Sequence, residues 1–261
     1  IEDILRERQY TSYHILSILL DACVDELEVL VADEFGEWNV MQRIRRRIEE
    51  LFGPQESISR KIQLDRFVRD QLETLRPRFA HRQCQLVTQL APTAPISIPP
   101  DVLAKIIEGL IRNAVENTPD GGKIEVAVRQ GEEVPEFEVK DYGIGMTEEN
   151  QRLIFENYFP SYETLQYASR KPYDFKAGGK GFDLLRMKIF SERYHFKLRM
   201  SSRRCGYLSH DKDLCPGKTG QCAYCQTDQD CIHSGGTTML VQFASVEQIA
   251  SITDTTQPTP S

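Results

Sequence analysis

The sequence predicts an α+β chain in which a helical hairpin precedes a two-layer α/β sandwich. Two segments near the start, about 4–31 and 41–51, carry apolar residues at alternating spacings of three and four, a pattern typical of helices that pack in coiled-coil fashion. Beyond about residue 60, short alternating segments interchange with longer helical patterns, which favours mixed strands and helices. At 261 residues, with 40% hydrophobic residues, the chain is long enough for one large domain and a smaller element.

The first domain, 1–58, is predicted to be a dimerisation hairpin. Two helices with one narrow apolar seam each cannot close a core alone, so we expect a homodimer that forms a four-helix bundle. His14 follows the seam residue Tyr13 and should point toward solvent, where a helical histidine is most often an ordinary surface residue. The turn-rich segment 53–59 predicts the domain boundary.

The second domain is predicted over 59–244, with a disordered tail over 245–261. A loop rich in proline is expected over 91–100, and a hairpin turn at Gly131. The predicted strands are 61–64, 84–90, 123–129, 137–141, 195–200 and 237–243. The predicted helices are 65–80, 102–117 and 182–194. With the helices on one face, these elements give the two-layer sandwich.

Charge and hydropathy exclude several classes of function. A formal charge of −7 argues against nucleic acid as a partner, because binding phosphates requires a basic face. No apolar run approaches the ~18 residues of a membrane span, and no signal peptide is visible, so a cytoplasmic fragment without a membrane segment is expected. The start at Ile1, without Met and within a helical pattern, leaves upstream sensor or membrane segments of a longer protein open.

A nucleotide site with a lid is predicted between residues 141 and 181. Asp141-Tyr-Gly-Ile-Gly145 ends a predicted strand, and its carboxylate could accept a hydrogen bond from an exocyclic amine, although Asp-x-Gly is also common turn chemistry. Gly179-Lys-Gly181 precedes a helix, whose free amides favour phosphate. Asn113 offers an amide oxygen to Mg2+, or it is merely a packing residue near a helix end.

In chain order, these motifs resemble those of sensor histidine kinases, which share the Bergerat-type ATP-binding fold with gyrase, heat-shock 90 and mismatch-repair ATPases. The resemblance covers about 62–243, and the hairpin before it has the placement of the family's phosphoacceptor domain. The motifs that carry it are Asn113-Ala-Val-Glu-Asn117-Thr-Pro, Asp141-Tyr-Gly-Ile-Gly145, Phe155 with Phe159, Gly179-Lys-Gly181 and Gly235-Gly-Thr-Thr238.

The resemblance implies a role for each matching residue. Asn113 would coordinate Mg2+ on the ATP phosphates, Asp141 would recognise the adenine amine, and His14 would accept the γ-phosphoryl group, which then passes to a response-regulator receiver domain. Glu108 joins His14 and Asn113 in the expected catalytic set. The remaining nucleotide-binding residues are expected to be Asn117, Gly143, Gly145, Gly179, Lys180, Gly181 and Thr237.

The sequence also departs from the family pattern. Gly109 replaces an asparagine that usually lies one turn before the metal-binding one, and Glu116 occupies a position that is often basic. His14 lacks the acid and the proline that typically follow the phosphoacceptor. Two alternatives therefore stay open: a kinase-like ATP-binding dimer that acts as a signalling scaffold, and a kinase that phosphorylates serine on another protein.

A cysteine-rich insertion is predicted over 203–235, between the last two strands. Four thiolates at tetrahedral geometry suit structural zinc, and an iron–sulfur cluster would use the same ligands. Free thiols, or disulfides formed on oxidation, are the plain alternative. The expected ligands are Cys215, Cys222, Cys225 and Cys231, with Cys205, His210 and His233 as substitutes or neighbours.

Overall fold

A computed structural model describes residues 58–152, 171–177, 182–208 and 213–245. All of these lie within one compact unit, Glu56–Ser261. The predicted helical hairpin with His14 and the predicted tail beyond 245 lie outside the described residues. So do Gly179, Lys180 and Gly181.

The described chain is built around a five-stranded sheet with the order β2-β4-β5-β7-β6. Strand β2 pairs with β4 in parallel, and the other neighbours are antiparallel. A separate antiparallel pair joins β1 and β3. The strands are β1 Arg60–Ile62, β2 Gln85–Leu90, β3 Ile96–Ile98, β4 Lys123–Gln130, β5 Pro135–Asp141, β6 Phe196–Arg203 and β7 Gly236–Phe243.

Helices cover one face of this sheet. Buried apolar residues repeat every three or four positions in the first helix (Leu64, Val68, Leu72 and Leu75), so its apolar stripe packs toward the strands. The second helix starts at Pro100, where the missing proline N–H costs nothing, and ends before the extended Thr118 and the following proline. The helices are α1 Leu64–Leu75, α2 Pro100–Asn117, α3 Glu148–Gln151, α4 Phe182–Tyr194 and α5 Asp228–Ile232.

Alternation along β5 places a carboxylate among core positions. Phe137, Val139 and Asp141 are all buried, whereas the residues between them are half-exposed. Because side chains of a strand alternate between the two faces, Asp141 continues the apolar row that faces the helices. A carboxylate at such a position needs hydrogen-bond partners, since a buried polar group without them is costly.

The two-layer sandwich is confirmed, and three details differ from the prediction. The loop expected over 91–100 contains β3, because Ile96 and Ile98 are buried and pair with β1. The helix expected to reach residue 80 ends at Leu75 and continues as a 3-10 turn over Arg76–Phe79, since Pro77 cannot donate the α-helical hydrogen bond. Helices α3 and α5 were not predicted.

Within the described ranges, no helix is both long enough and apolar enough to cross a membrane.

Candidate nucleotide site

The carboxylate of Asp141 is held by backbone amides from two directions. Its Oδ1 accepts the N–H of Gly143 at 3.0 Å and the N–H of Thr237 at 3.2 Å. The second bond follows from the sheet, because Asp141 lies directly opposite Thr237 in the β5–β7 register. With both amides on one oxygen, Oδ2 is available to accept a bond from a ligand amine.

Burial raises the pKa of Asp141 to about 7, and the amides of Gly143 and Thr237 partly oppose this rise. The cause is the loss of hydration around a side chain that is only 6% exposed. A hydrogen-bond donor that approaches this carboxyl group stabilises its ionised form. An exocyclic amine of a purine is such a donor.

Two glycines shape the Asp141 turn, by which we mean residues 141–145. At Gly143 an added Cβ would lie 2.1 Å from the carbonyl oxygen of Asn117, so no side chain fits without movement of the backbone. Gly145 has φ +58°, and a Cβ there would meet the Arg203 carbonyl at 1.9 Å. The turn thus approaches both the end of α2 and the end of β6 closely.

The end of α2 is fastened to the Asp141 turn. The N–H of Ile144 donates to the Asn117 carbonyl at 3.1 Å, and the Asn117 side chain donates to the Asn113 carbonyl at 2.8 Å. Asn113, whose side chain is half-exposed, lies one helical turn before Asn117. The structure therefore brings Asn113, Asn117, Asp141, Gly143 and Thr237 into one region, as the sequence predicts.

Ser202 belongs to this region but was missed by sequence reasoning. Its hydroxyl lies 2.9 Å from Thr237 Oγ1 and accepts the Met146 N–H at 2.9 Å, so it connects β6 and β7 to the segment after the turn. Ser202 is the register partner of Thr237 in the β6–β7 pair. The β6–β7 register would have placed Ser202 beside Thr237, but the serine belongs to no sequence motif from which its position could be inferred.

A second buried anchor lies where the chain returns from the predicted lid, at residues 171–177. The Glu116 carboxylate accepts the Tyr173 N–H at 3.0 Å, and the Glu116 carbonyl accepts the Lys176 N–H at 2.7 Å. Burial raises the pKa of Glu116, although the Tyr173 amide opposes the rise. The acid found where the family often has a base thus binds backbone of the lid-return segment.

Arg82 completes this anchor and was not predicted. Its guanidinium is almost wholly buried and forms an ion pair with Asp120 at 2.9 Å. It also donates to the carbonyls of Tyr173 at 2.8 Å and Thr118 at 2.7 Å. A planar guanidinium has five N–H donors and can bind several carbonyl groups at once, so Arg82 joins the end of α2 to the lid-return segment.

Glu108 is not brought to these residues. Its carboxylate forms an ion pair with Arg78 on the 3-10 turn, and Glu108 lies about 140° around α2 from Asn113. Its catalytic role stays a prediction. The same holds for His14 and the Gly179-Lys-Gly181 motif, which lie outside the described residues.

The structure gathers the cysteines of the insertion around one cavity of about 180 Å³. The lining includes all four predicted ligands together with Cys205. None of the five forms a disulfide. In the part of the chain that the structure describes, no group of three or more His, Cys, Asp or Glu side chains has a geometry that could hold a metal ion. The predicted ligands are therefore neighbours, but they do not form a finished metal centre.

Comparison with known proteins agrees with the class that this fold and site define, a nucleotide-binding α/β sandwich. The family model described as histidine kinase-, DNA gyrase B-, and HSP90-like ATPase matches residues 99–243. The chain belongs to this family. The predicted resemblance to the catalytic ATP-binding domain of sensor histidine kinases is confirmed, and ATP is the nucleotide that the family's description names.

Individual relatives match smaller parts. The chain is 28% identical over 100 residues to the sensor histidine kinase RppB of Synechocystis sp., covering 38% of this chain and 20% of that protein. It is 30% identical over 101 residues to the adaptive-response sensory kinase SasA of Synechococcus elongatus, covering 38% and 26%. The chain thus matches about a fifth to a quarter of the length of these relatives.

Among solved structures, a mycobacterial sensor histidine kinase, MprB, is similar with a TM-score of 0.46 and 16% identity, over 72% of this chain and 100% of that one. The histidine kinase AdeS of Acinetobacter baumannii gives a TM-score of 0.48 and 12% identity, over 92% and 98%.

Proposed function

We propose that this chain is the ATP-binding catalytic region of a two-component sensor histidine kinase. It binds ATP with Mg2+, transfers the γ-phosphoryl group to His14, and passes it to an aspartate of a response-regulator receiver domain. The observation that carries the proposal is the Asp141 carboxylate, oriented by two amides beside a glycine turn in a chain of the ATPase family.

Each described residue has a distinct part in nucleotide binding. Asp141 accepts the adenine amine through Oδ2, while Gly143 lets the turn approach the end of α2. Asn113 supplies an amide oxygen, the type of donor that Mg2+ prefers, and a magnesium ion bound there with ATP would neutralise charge on the phosphates. Arg82 and Glu116 hold the lid-return segment in place.

The phosphoryl step needs positioning more than covalent chemistry from the protein. The bond from the γ-phosphorus to the β-bridging oxygen breaks, a bond from phosphorus to an imidazole nitrogen of His14 forms, ADP leaves, and the imidazole proton is released to solvent. The paired apolar seams of the first 58 residues support a homodimer as the acting form. Light scattering on the eluted chain measures that state, and a monomer at working concentration would remove the dimer from the proposal.

Incubation of the full chain with γ-labelled ATP tests the function. We expect an acid-labile phosphoprotein that is absent in His14→Gln and retained in His195→Asn, a change at an exposed histidine with φ +54°, a conformation that asparagine tolerates. Label that persists in His14→Gln would disprove the role of His14. Tight ATP binding without any label would support the scaffold, and acid-stable label on a second protein would support a serine kinase.

A further inference from the structure

The residue after Asp141 has its side chain on the opposite face of the sheet. Because side chains of a strand alternate between the two faces, Tyr142 lies on the face opposite the helices. Three charged residues share this face beside it: Lys140 of β5, and Lys123 and Glu125 of β4. All four side chains are half-buried. They form a polar cluster directly behind the carboxylate of the nucleotide site.

The tyrosine ring contacts two ammonium groups and is tethered by its hydroxyl. Lys140 Nζ lies 4.6 Å from the ring centroid and Lys123 Nζ lies 5.4 Å from it, both within the ~6 Å range of cation–π attraction. The hydroxyl donates to Glu125 Oε2 at 2.9 Å, and the same carboxylate forms an ion pair with Lys123. The ring is therefore held by three contacts that come from two neighbouring strands.

The backbone of Tyr142 is held as well. Its N–H donates to the Lys123 carbonyl at 3.0 Å, which extends the β4–β5 ladder one residue past Asp141. On the side of β7, Gly236 has φ +140°, and a Cβ there would lie 2.3 Å from the Asp141 carbonyl oxygen and 3.2 Å from Tyr142 Cα. The peptide group between Asp141 and Tyr142 is thus enclosed by both neighbouring strands.

Tyr142 is also the central residue of the turn that orients the Asp141 carboxylate. The bond from the Gly143 N–H to Asp141 Oδ1, at 3.0 Å, closes an Asx turn that contains the backbone of Tyr142. The direction of the carboxylate therefore depends on the φ and ψ of Tyr142. A ring fixed on the far face of the sheet restricts these angles, so Oδ2 keeps the direction from which it can accept an amine.

We propose that Tyr142 is a positioning residue for base recognition: its tethered side chain keeps the Asp141 carboxylate in the orientation that binds the exocyclic amine of adenine. The inference rests on the proposed ATP site. Its consequence concerns the base, because a site built to bind an N–H group discriminates against an analogue without that group. A cluster that only stabilised the sheet would affect every nucleotide alike, whereas a positioning residue affects the preference for the amine.

The affinities of the full chain for ATP and for the triphosphate of purine riboside, which lacks the exocyclic amine, test the proposal. Both are measured with Mg2+ by displacement of a fluorescent ATP analogue. Tyr142→Leu removes the ring and the hydroxyl, and should lower the ATP affinity about 3- to 10-fold and the other affinity by less than about twofold. Tyr142→Phe keeps the ring beside both ammonium groups and should retain most of the preference. Lys197→Met, at an exposed position of β6, is the control.

Lys140→Met is the second variant if Tyr142→Leu does not fold. It removes the nearer ammonium group, keeps the tyrosine, and should lower the ratio of the two affinities by a smaller factor. Equal losses for both nucleotides, or an unchanged ratio in the variants, would overturn the proposal. An unaltered chain that binds neither nucleotide would overturn it together with the proposed function. A chain that shows the expected ratios without phosphorylating His14 would disprove only the proposed function.

Discussion

The Asp141 turn and the cysteine-lined cavity are two candidate binding sites made by different means. At the Asp141 turn the backbone forms most of the site. Two amides hold one carboxylate oxygen, and two glycines allow neighbouring backbone to approach the turn closely. In the cavity, side chains of one type gather from separate segments, but within the described residues no three of them have the spacing that a metal ion requires. The Asp141 turn is preorganised for a ligand, whereas the cavity is a cluster of one residue type without such organisation.

Removal of Arg82 should have the largest effect, because this residue stabilises backbone that connects the nucleotide half of the fold to the cysteine insertion. Its partner Asp120 exchanges backbone hydrogen bonds with Gly217 and Thr219 of the insertion. Arg82→Met leaves the carboxylate and several carbonyls without their donor, so we expect a loss of about 3–5 kcal/mol in the free energy of unfolding. Urea denaturation measures it, and Arg69→Met, at an exposed position of α1, is the control. Equal stability of the two variants would contradict the role of Arg82.

Gly143→Ala should distinguish the two regions, because it should disrupt the Asp141 turn and leave the cysteine-lined cavity unchanged. The new Cβ would lie 2.1 Å from the Asn117 carbonyl oxygen, and relief of that clash should cost about 1–3 kcal/mol and weaken nucleotide binding. Gly220→Ala is the matched control within the insertion, where an added Cβ meets nothing within 4 Å. Thermal unfolding and titration with a fluorescent ATP analogue report both changes. An unaffected Gly143→Ala variant would show that the turn can move away.

Asp141→Asn should weaken ATP binding by roughly 10- to 100-fold, the effect of about 1–3 kcal/mol for an unpaired buried donor. The asparagine oxygen can keep the amides of Gly143 and Thr237, but its NH2 group then faces the adenine amine, donor against donor. Calorimetric titration measures the affinity. Asp70→Asn, on the exposed surface of α1, is the control. Undiminished ATP affinity would remove Asp141 from the site.

The most gradual effect is the pH dependence that Asp141 contributes, because it is spread over about three pH units. Its folded pKa of about 7 lies above the unfolded value of 3.8, so between these values the folded chain keeps a proton that the unfolded chain releases. Stability therefore falls as pH rises from about 4 to about 7, by less than ~1.4 kcal/mol per pH unit, and is level above that range. The difference in unfolding free energy between the unaltered chain and Asp141→Asn, measured in urea at several pH values, isolates this contribution. A constant difference would contradict the raised pKa.

The difference between the Asp141 turn and the cysteine-lined cavity also explains how much of the fold and of the candidate site could be predicted from the sequence. Periodicity placed α1, α2 and the sheet strands, and the Asp-x-Gly motif identified Asp141, because short-range backbone chemistry decides both. Ser202, Glu116 and Arg82 could not be assigned, since their partners are groups far away in sequence, such as Tyr173 for Glu116. In the insertion, residue type predicted the thiol cluster, but spacing alone could not fix how near the sulfurs come.

The hydrogen bonds between the insertion and the nucleotide half have a thermodynamic consequence. The Cys205 amide donates to Ile144 of the Asp141 turn, and the Asp120 amide after α2 donates to Gly217 beside Cys215. Any change in the insertion that shifts these bonds changes the affinity for ATP by some factor. Linkage then requires ATP binding to favour or oppose that change by the same factor, so the insertion and the nucleotide half each respond to the state of the other.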